Sequence, residues 1–247
     1  MKKKYGEVFL LPSLFSITNI FFGFLSLIFC FHARFSLAAV WIIAAAVMDG
    51  LDGIIARATR AQSEFGTQLD SLADAFSFGA APAILLYFWG LQIAGTPGIL
   101  FSFLFLCGGV LRLARYNVLQ QTQVDRGYYV GLTVPSASMF LSALVFFHPN
   151  PLETTLGAAV LSLIVGAVSL CMVSRIKYRN FLRFNFRKRI DLKTALALGI
   201  VISGLIFYPR ILLLVFFGIN VISGPATAAI NAWKKRKASS EHTEVIS

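Results

Sequence analysis

Asp49-Gly50-Leu51-Asp52-Gly53-Ile54-Ile55-Ala56-Arg57, eight intervening residues, then Gly66-Thr67-Gln68-Leu69-Asp70-Ser71-Leu72-Ala73-Asp74. Four aspartates stand here in sequence that is otherwise small or apolar. The whole chain has only 11 acidic residues among 247. Carboxylates within apolar segments are costly and are usually functional or paired. Asp49 and Asp52 are three apart, and Asp70 and Asp74 are four apart. On helices, each pair shares a face. Gly53 and Ala56 extend the first stripe, Arg57 edges it, and Gly66, Ser77 and Ala81 extend the second. The short link between the segments lets them pack as antiparallel neighbours, with four carboxylates facing one another across a gap lined by Gly and Ala.

The flanking sequence determines what surrounds that gap. The chain is 57% hydrophobic and 13% charged, with a mean hydropathy of +0.75. A soluble domain carries about a quarter of its residues as charge, so this composition points to membrane. Eight apolar segments run over residues 10–31, 37–57, 69–89, 98–119, 130–147, 152–173, 193–208 and 211–232. None alternates as a barrel strand would, so the spans are helical. The fold class expected is all-α, a polytopic transmembrane helical bundle. The first segment has neither the short apolar core nor the small-residue site of a cleaved leader, and reads as a span. Cys30, Cys107 and Cys171 all fall in apolar segments, an odd and scattered set that argues against a disulfide framework or a zinc site.

Eight crossings put 20 of the 22 Lys and Arg on one side, leaving Arg34 and Arg210 on the other. Such a bias marks the cytoplasmic face and places both termini there, in a cell (inner or plasma) membrane. Losing segments seven and eight as a pair would preserve the bias, so six crossings remain open. The net charge of +11 lies where anionic headgroups lie, and nucleic acid is not expected as a partner. Asp52 precedes Arg57 by about 7–8 Å of helix rise, which sets the carboxylates just below the headgroups. There a lipid diphosphate and a water-soluble molecule can meet.

Like charges held this close call for a cation. Hard Mg²⁺ or Mn²⁺ takes oxygen ligands, and four carboxylates suit two such ions, as in phosphoryl transfer. The expected ligands are Asp49, Asp52, Asp70 and Asp74. Asp74 is also a candidate to take a proton from an attacking hydroxyl.

The stretch resembles the signature of the CDP-alcohol phosphotransferase family, D-x2-D-G-x2-A-R-x8-G-x3-D-x3-D, at all eight defining positions. Residues 69–83, Leu111-Arg112-Leu113-Ala114-Arg115-Tyr116-Asn117, Gly131-Leu132-Thr133-Val134-Pro135-Ser136-Ala137 and Met172-Val173-Ser174-Arg175-Ile176-Lys177-Tyr178 are similar to the branch that uses CDP-diacylglycerol and serine. The glycerophosphate branch usually has Pro and Lys where Ser71 and Ala75 stand. The resemblance implies a six-helix core over 1–190. The chain would then add a C-terminal transmembrane hairpin over 191–233 and a disordered cytoplasmic tail over 234–247.

It also implies attack of the L-serine hydroxyl on the β-phosphorus of CDP-diacylglycerol, with CMP leaving, in a homodimer among membrane lipids. Gly53, Ala56, Arg57, Gly66 and Asn19 are the candidate contacts for the CDP-lipid. Arg112, Arg115, Arg175, Lys177 and Tyr178 are candidates for serine, though any of these cations could instead be a membrane anchor. Many relatives begin the first helix with Pro-Asn, and this chain has Pro12-Ser13 but keeps Asn19 and Gly23. The alternatives are another acceptor (inositol phosphate, glycerol phosphate, choline or ethanolamine), a cation transporter, and a scaffold without activity. A transporter would place its carboxylates at mid-membrane, between repeated halves.

Overall fold

The computed structural model describes residues 5–59, 64–120, 128–179, 203–204 and 207–244. Among these, helices α1 (Tyr5–Phe31), α2 (Phe35–Thr59), α3 (Glu64–Asp74), α4 (Ala81–Trp89), α5 (Thr96–Gln120), α6 (Val134–Phe147), α7 (Thr155–Val173) and α8 (Pro209–Glu244) make a bundle. A π-helical turn, Ala75–Ala80, joins α3 to α4, so Glu64–Trp89 is one continuous rod. A short 3₁₀ turn, Leu91–Ala94, precedes α5. Among the described residues six helical stretches are long and apolar enough to cross a membrane, and the chain is a polytopic transmembrane helical bundle.

α1 is apolar on the outside and polar or small on the inside. Leu14, Ile17, Phe21, Phe24 and Ile28 are exposed, whereas Ser16, Asn19, Ser26 and Cys30 are buried. Both sets follow helical spacing. Lipid tails solvate the outer stripe as well as a core would, so small and polar residues are left to make close contacts between helices. α1 ends in a tight cap: Ala33 N donates to Cys30 O at 2.9 Å and Arg34 N to Phe29 O at 2.9 Å. Ala33 takes the left-handed conformation, φ 55°, which Gly more often fills. The reversal lays α2 antiparallel along α1, and Ala38, Ala39, Ile42 and Ala45 pack into the core. Gly23 brings α1 onto the π-turn, because a Cβ there would lie 2.5 Å from Ser77 Oγ. Ser77 Oγ donates to Asn19 O at 2.9 Å.

Three differences from the sequence reading have physical causes. The expected span at 130–147 begins later: Tyr128–Val130 is a strand, β1, paired antiparallel with β2 (Lys177–Arg179). Gly131, at φ 78°, turns the chain out of the strand. Thr133 Oγ1 then caps α6 by accepting from Ser136 N, with Pro135 in the first turn, where its missing N–H costs nothing. α6 is therefore 14 residues long, short for a span of about 20. The ribbon itself departs from a purely helical expectation.

The third difference is in the tail. α8 continues to Glu244, through residues that composition marks as disordered, because Ala, Lys, Arg and Glu there are strong helix formers that extend an existing helix at little cost. The seventh apolar segment, 193–208, lies mostly outside the described residues. α8 runs antiparallel to α6. Arg210 stacks on Phe146 (5.1 Å to the ring centroid), Gly218 faces Phe140, and Val221 meets Tyr178 in the ribbon.

Candidate active site

α1, α2, α3 and α5 converge on the aspartates. Asp49 comes from α2, and Asp70 and Asp74 come from successive turns of α3. One carboxylate oxygen from each lies within 4.8 Å of the others. Asp52 is one turn beyond Asp49, is buried, and accepts a hydrogen bond from Ser16 Oγ through Oδ2 at 3.0 Å. Oδ1 of Asp52 and Oδ1 of Asp74 are buried without a hydrogen-bond partner. Such atoms are rare and costly. An oxygen-rich, acceptor-only pocket of this kind is what a hard divalent cation satisfies, so the residues present fit one.

Two further groups turn toward Asp74. The Arg112 guanidinium, from α5, lies within Coulombic reach of it, and the Asn19 amide sits beside it. Arg112 is 8% exposed and rests over the Tyr116 ring. The Asn19 side chain is buried and lies within hydrogen-bonding reach of the Asp74 carboxylate. The π-turn starts one residue after Asp74. Such single turns recur at functional sites. Here the turn presents Ser77 to α1 and so holds Asn19 at its height.

The other candidates are distributed around this centre. Gly53 is exposed and Gly66 half-buried, each one turn from an aspartate on its own helix. Ala56 and Arg57 continue α2 in its helical backbone, and their side chains lie outside the described set. Arg115 Nη1 donates to Val173 O at 3.3 Å, which ties α5 to the end of α7. Arg175 is exposed, and the Lys177 backbone pairs with Val130. Tyr178, the remaining serine candidate, lies in β2. It is buried, and its hydroxyl donates to Val221 O on α8 at 3.4 Å. Burial first, then the nearby Cys171 thiol, push its phenol above the ordinary value, so it stays protonated and a donor. Sequence reasoning missed Ser16. The spacing Ser16, Asn19, Gly23 on one face of α1 was its available signal.

A family model described as CDP-alcohol phosphatidyltransferase matches residues 9–173. The CDP-diacylglycerol–serine O-phosphatidyltransferase of Helicobacter pylori is 34% identical over 221 residues, which covers 89% of this chain and 91% of that protein. The archaetidylserine synthase of Methanothermobacter thermautotrophicus is 34% identical over 178 residues, 71% of this chain and 72% of its own. The serine O-phosphatidyltransferase of Bacillus subtilis is 32% identical over 171 residues, 69% of this chain and 90% of its own. With the eight-position signature intact and its aspartates gathered at one point in the bundle, the chain belongs to the CDP-alcohol phosphatidyltransferase family of enzymes.

Proposed function

We propose that this enzyme transfers the phosphatidyl group of CDP-diacylglycerol to the hydroxyl of L-serine, giving phosphatidylserine and CMP. The observation that carries the reading is the convergence of Asp49, Asp70 and Asp74 within 4.8 Å, in the membrane bundle of a family of CDP-alcohol transferases. The names of the Helicobacter pylori and Bacillus subtilis relatives support serine as the acceptor. The archaeal relative's name supports the same amino acid on a different lipid.

Asp49, Asp52, Asp70 and Asp74 would hold two Mg²⁺ or Mn²⁺ ions. Bound there, the ions would neutralise the diphosphate and the charge that develops as the phosphoryl group transfers. Asp74 takes the proton from the serine hydroxyl as its oxygen bonds to the β-phosphorus. The bond from that phosphorus to the CMP oxygen breaks, and CMP leaves as the anion. Gly53, Ala56 and Gly66 leave room for the cytidine and ribose against the helix backbones, and Arg57 meets the diphosphate. Arg112, beside Asp74, is the best-placed cation for the serine carboxylate; Arg115, Arg175 and Lys177 surround the approach. Asn19, buried beside Asp74, is a polar contact for the CDP-lipid. The site opens to the cytoplasm with both termini, because 20 of 22 basic residues fall on that side. A homodimer is part of this reading by family analogy.

The test is CMP release by the detergent-purified protein with CDP-diacylglycerol, Mg²⁺ or Mn²⁺, and each alcohol in turn. Release with serine alone is expected. Release with glycerol phosphate, inositol phosphate, choline or ethanolamine instead would keep the transferase and replace the acceptor.

Ser16 provides a second check. Its hydroxyl commits one oxygen of Asp52 and so orients the other. Groups that orient metal ligands contribute about 10–100-fold to affinity or activity. Ser16→Ala should weaken Mn²⁺ binding about tenfold by electron paramagnetic resonance titration, and Ser16→Thr should retain it. Equal Mn²⁺ affinity in the alanine variant would remove Ser16 from the site.

A further inference from the structure

Tyr178 meets α8 at Val221 and Gly224, within the stretch Val221-Ile222-Ser223-Gly224-Pro225. Pro225 lies inside the helix and has no N–H to donate four residues back. The carbonyl left without its helical donor is that of Val221. Freed carbonyls in membrane helices are re-satisfied by neighbouring side chains, and here the donor is Tyr178 Oη, at 3.4 Å. Gly224 clears the way for the ring: a Cβ there would collide with Cζ, Cε1 and Cε2 of Tyr178. One short stretch therefore supplies a missing donor, a missing Cβ and an available acceptor, all serving a single side chain.

That side chain comes from the β1–β2 ribbon. Tyr178 pairs with Tyr129, and Gly131 N donates to Ile176 O at 2.8 Å. The ribbon continues from the end of α7, where Val173 O receives Arg115 of α5. Arg115 is three residues from Arg112, which faces Asp74. Contacts thus run from α8 through the ribbon and the end of α7 to α5, where Arg112 lies within Coulombic reach of Asp74. α8 itself lies beyond residues 9–173, the part that matches the family model.

We infer that α8 is a brace that holds the β1–β2 ribbon, with Arg175 and Lys177, at the acceptor side of the site, and that Tyr178 is its positioning residue. This rests on the transferase reading, with the acceptor approaching between α5 and the ribbon.

The test is a double-mutant cycle in the full-length, detergent-purified protein: Tyr178→Phe, Pro225→Ala and both together. Melting temperature and the KM values for acceptor and CDP-diacylglycerol are measured for each. Tyr178→Phe leaves the Val221 carbonyl without a donor. Its melting temperature should fall, and its acceptor KM should rise about fivefold, the scale of one hydrogen bond. KM for CDP-diacylglycerol should hold, and kcat should stay within about twofold. Pro225→Ala returns an N–H to α8, so the double variant should regain stability over Tyr178→Phe while its acceptor KM stays high.

Recovery of acceptor KM together with stability would reduce the contact to a structural one and overturn the brace. An unchanged acceptor KM in Tyr178→Phe would do the same. The acceptor assayed is whichever alcohol the unmodified protein uses, so a wrong acceptor assignment does not disturb the test. If no alcohol supports CMP release, the transferase reading fails and the brace with it, while coupled melting temperatures would still report the contact between Tyr178 and α8.

Discussion

Asp74→Asn should lower CMP release by about 10³-fold or more, with the protein no less stable than before. The size follows from two losses at one atom. Asparagine cannot accept the hydroxyl proton, and general-base contributions run to about 10²–10⁴-fold. It also withdraws a charged ligand from a site whose purpose is to stabilise developing charge, where single groups contribute about 10²–10³-fold. The stability argument runs the other way. Asp74 shares a gap of 4.8 Å with two other carboxylates, and one of its oxygens is buried without a partner. Removing one like charge relieves repulsion in the metal-free protein, so its melting temperature should be unchanged or higher. Activity loss with a lower melting temperature would mean that the residue holds the bundle together, and the assignment of Asp74 to chemistry would fail. Substantial residual turnover at normal stability would move the base elsewhere.

Chelation should have an effect of similar size. Treatment with EDTA is expected to abolish CMP release, and excess Mg²⁺ or Mn²⁺ to restore it. A second readout does not depend on turnover. An ion that binds only the folded protein stabilises it by RT ln(1 + [L]/Kd), about 2.7 kcal/mol at a hundredfold excess over Kd. The melting temperature should therefore climb with Mn²⁺ in the unmodified protein and much less in Asp49→Asn or Asp70→Asn, which remove members of the cluster. A melting temperature indifferent to divalent ions, with activity surviving EDTA, would dismiss the metal reading. The aspartates would then need another source of compensation, and Arg112 lies within Coulombic reach of Asp74.

Much of this site is legible in the amino-acid sequence. Spacings of three and four put each aspartate pair on one helical face, and the close carboxylates of α2 and α3 follow from that periodicity once α1 packs against both helices. The polarity of α1 is legible in the same way, since Ser16, Asn19 and Gly23 recur at helical intervals. Their partners are not. Ser16 meets Asp52 across 36 positions of sequence, and no local pattern encodes a contact of that range. Arg112 and Arg115 look equivalent in sequence, three residues apart on α5. Packing separates them, with Arg112 turned to Asp74 and Arg115 to the last carbonyl of α7. Tyr178 stands beside basic residues and reads as a substrate contact, yet its hydroxyl is committed to a carbonyl that Pro225, 47 positions later, leaves free.

By itself, the sequence determined the membrane class, the helical architecture, the reaction family and the four acidic residues. The membrane class, the helices and the acidic pairs follow from composition or short-range periodicity, which act within one element, and the reaction family follows from the resemblance carried by the eight-position signature. Tertiary structure alone decided which oxygen of Asp52 is held, which arginine faces the carboxylates, where the short α6 gives way to a ribbon, and what α8 grips. Those outcomes depend on how closely separate elements approach: Gly23 lets α1 close on the π-turn after Asp74, and Gly224 admits the Tyr178 ring to α8.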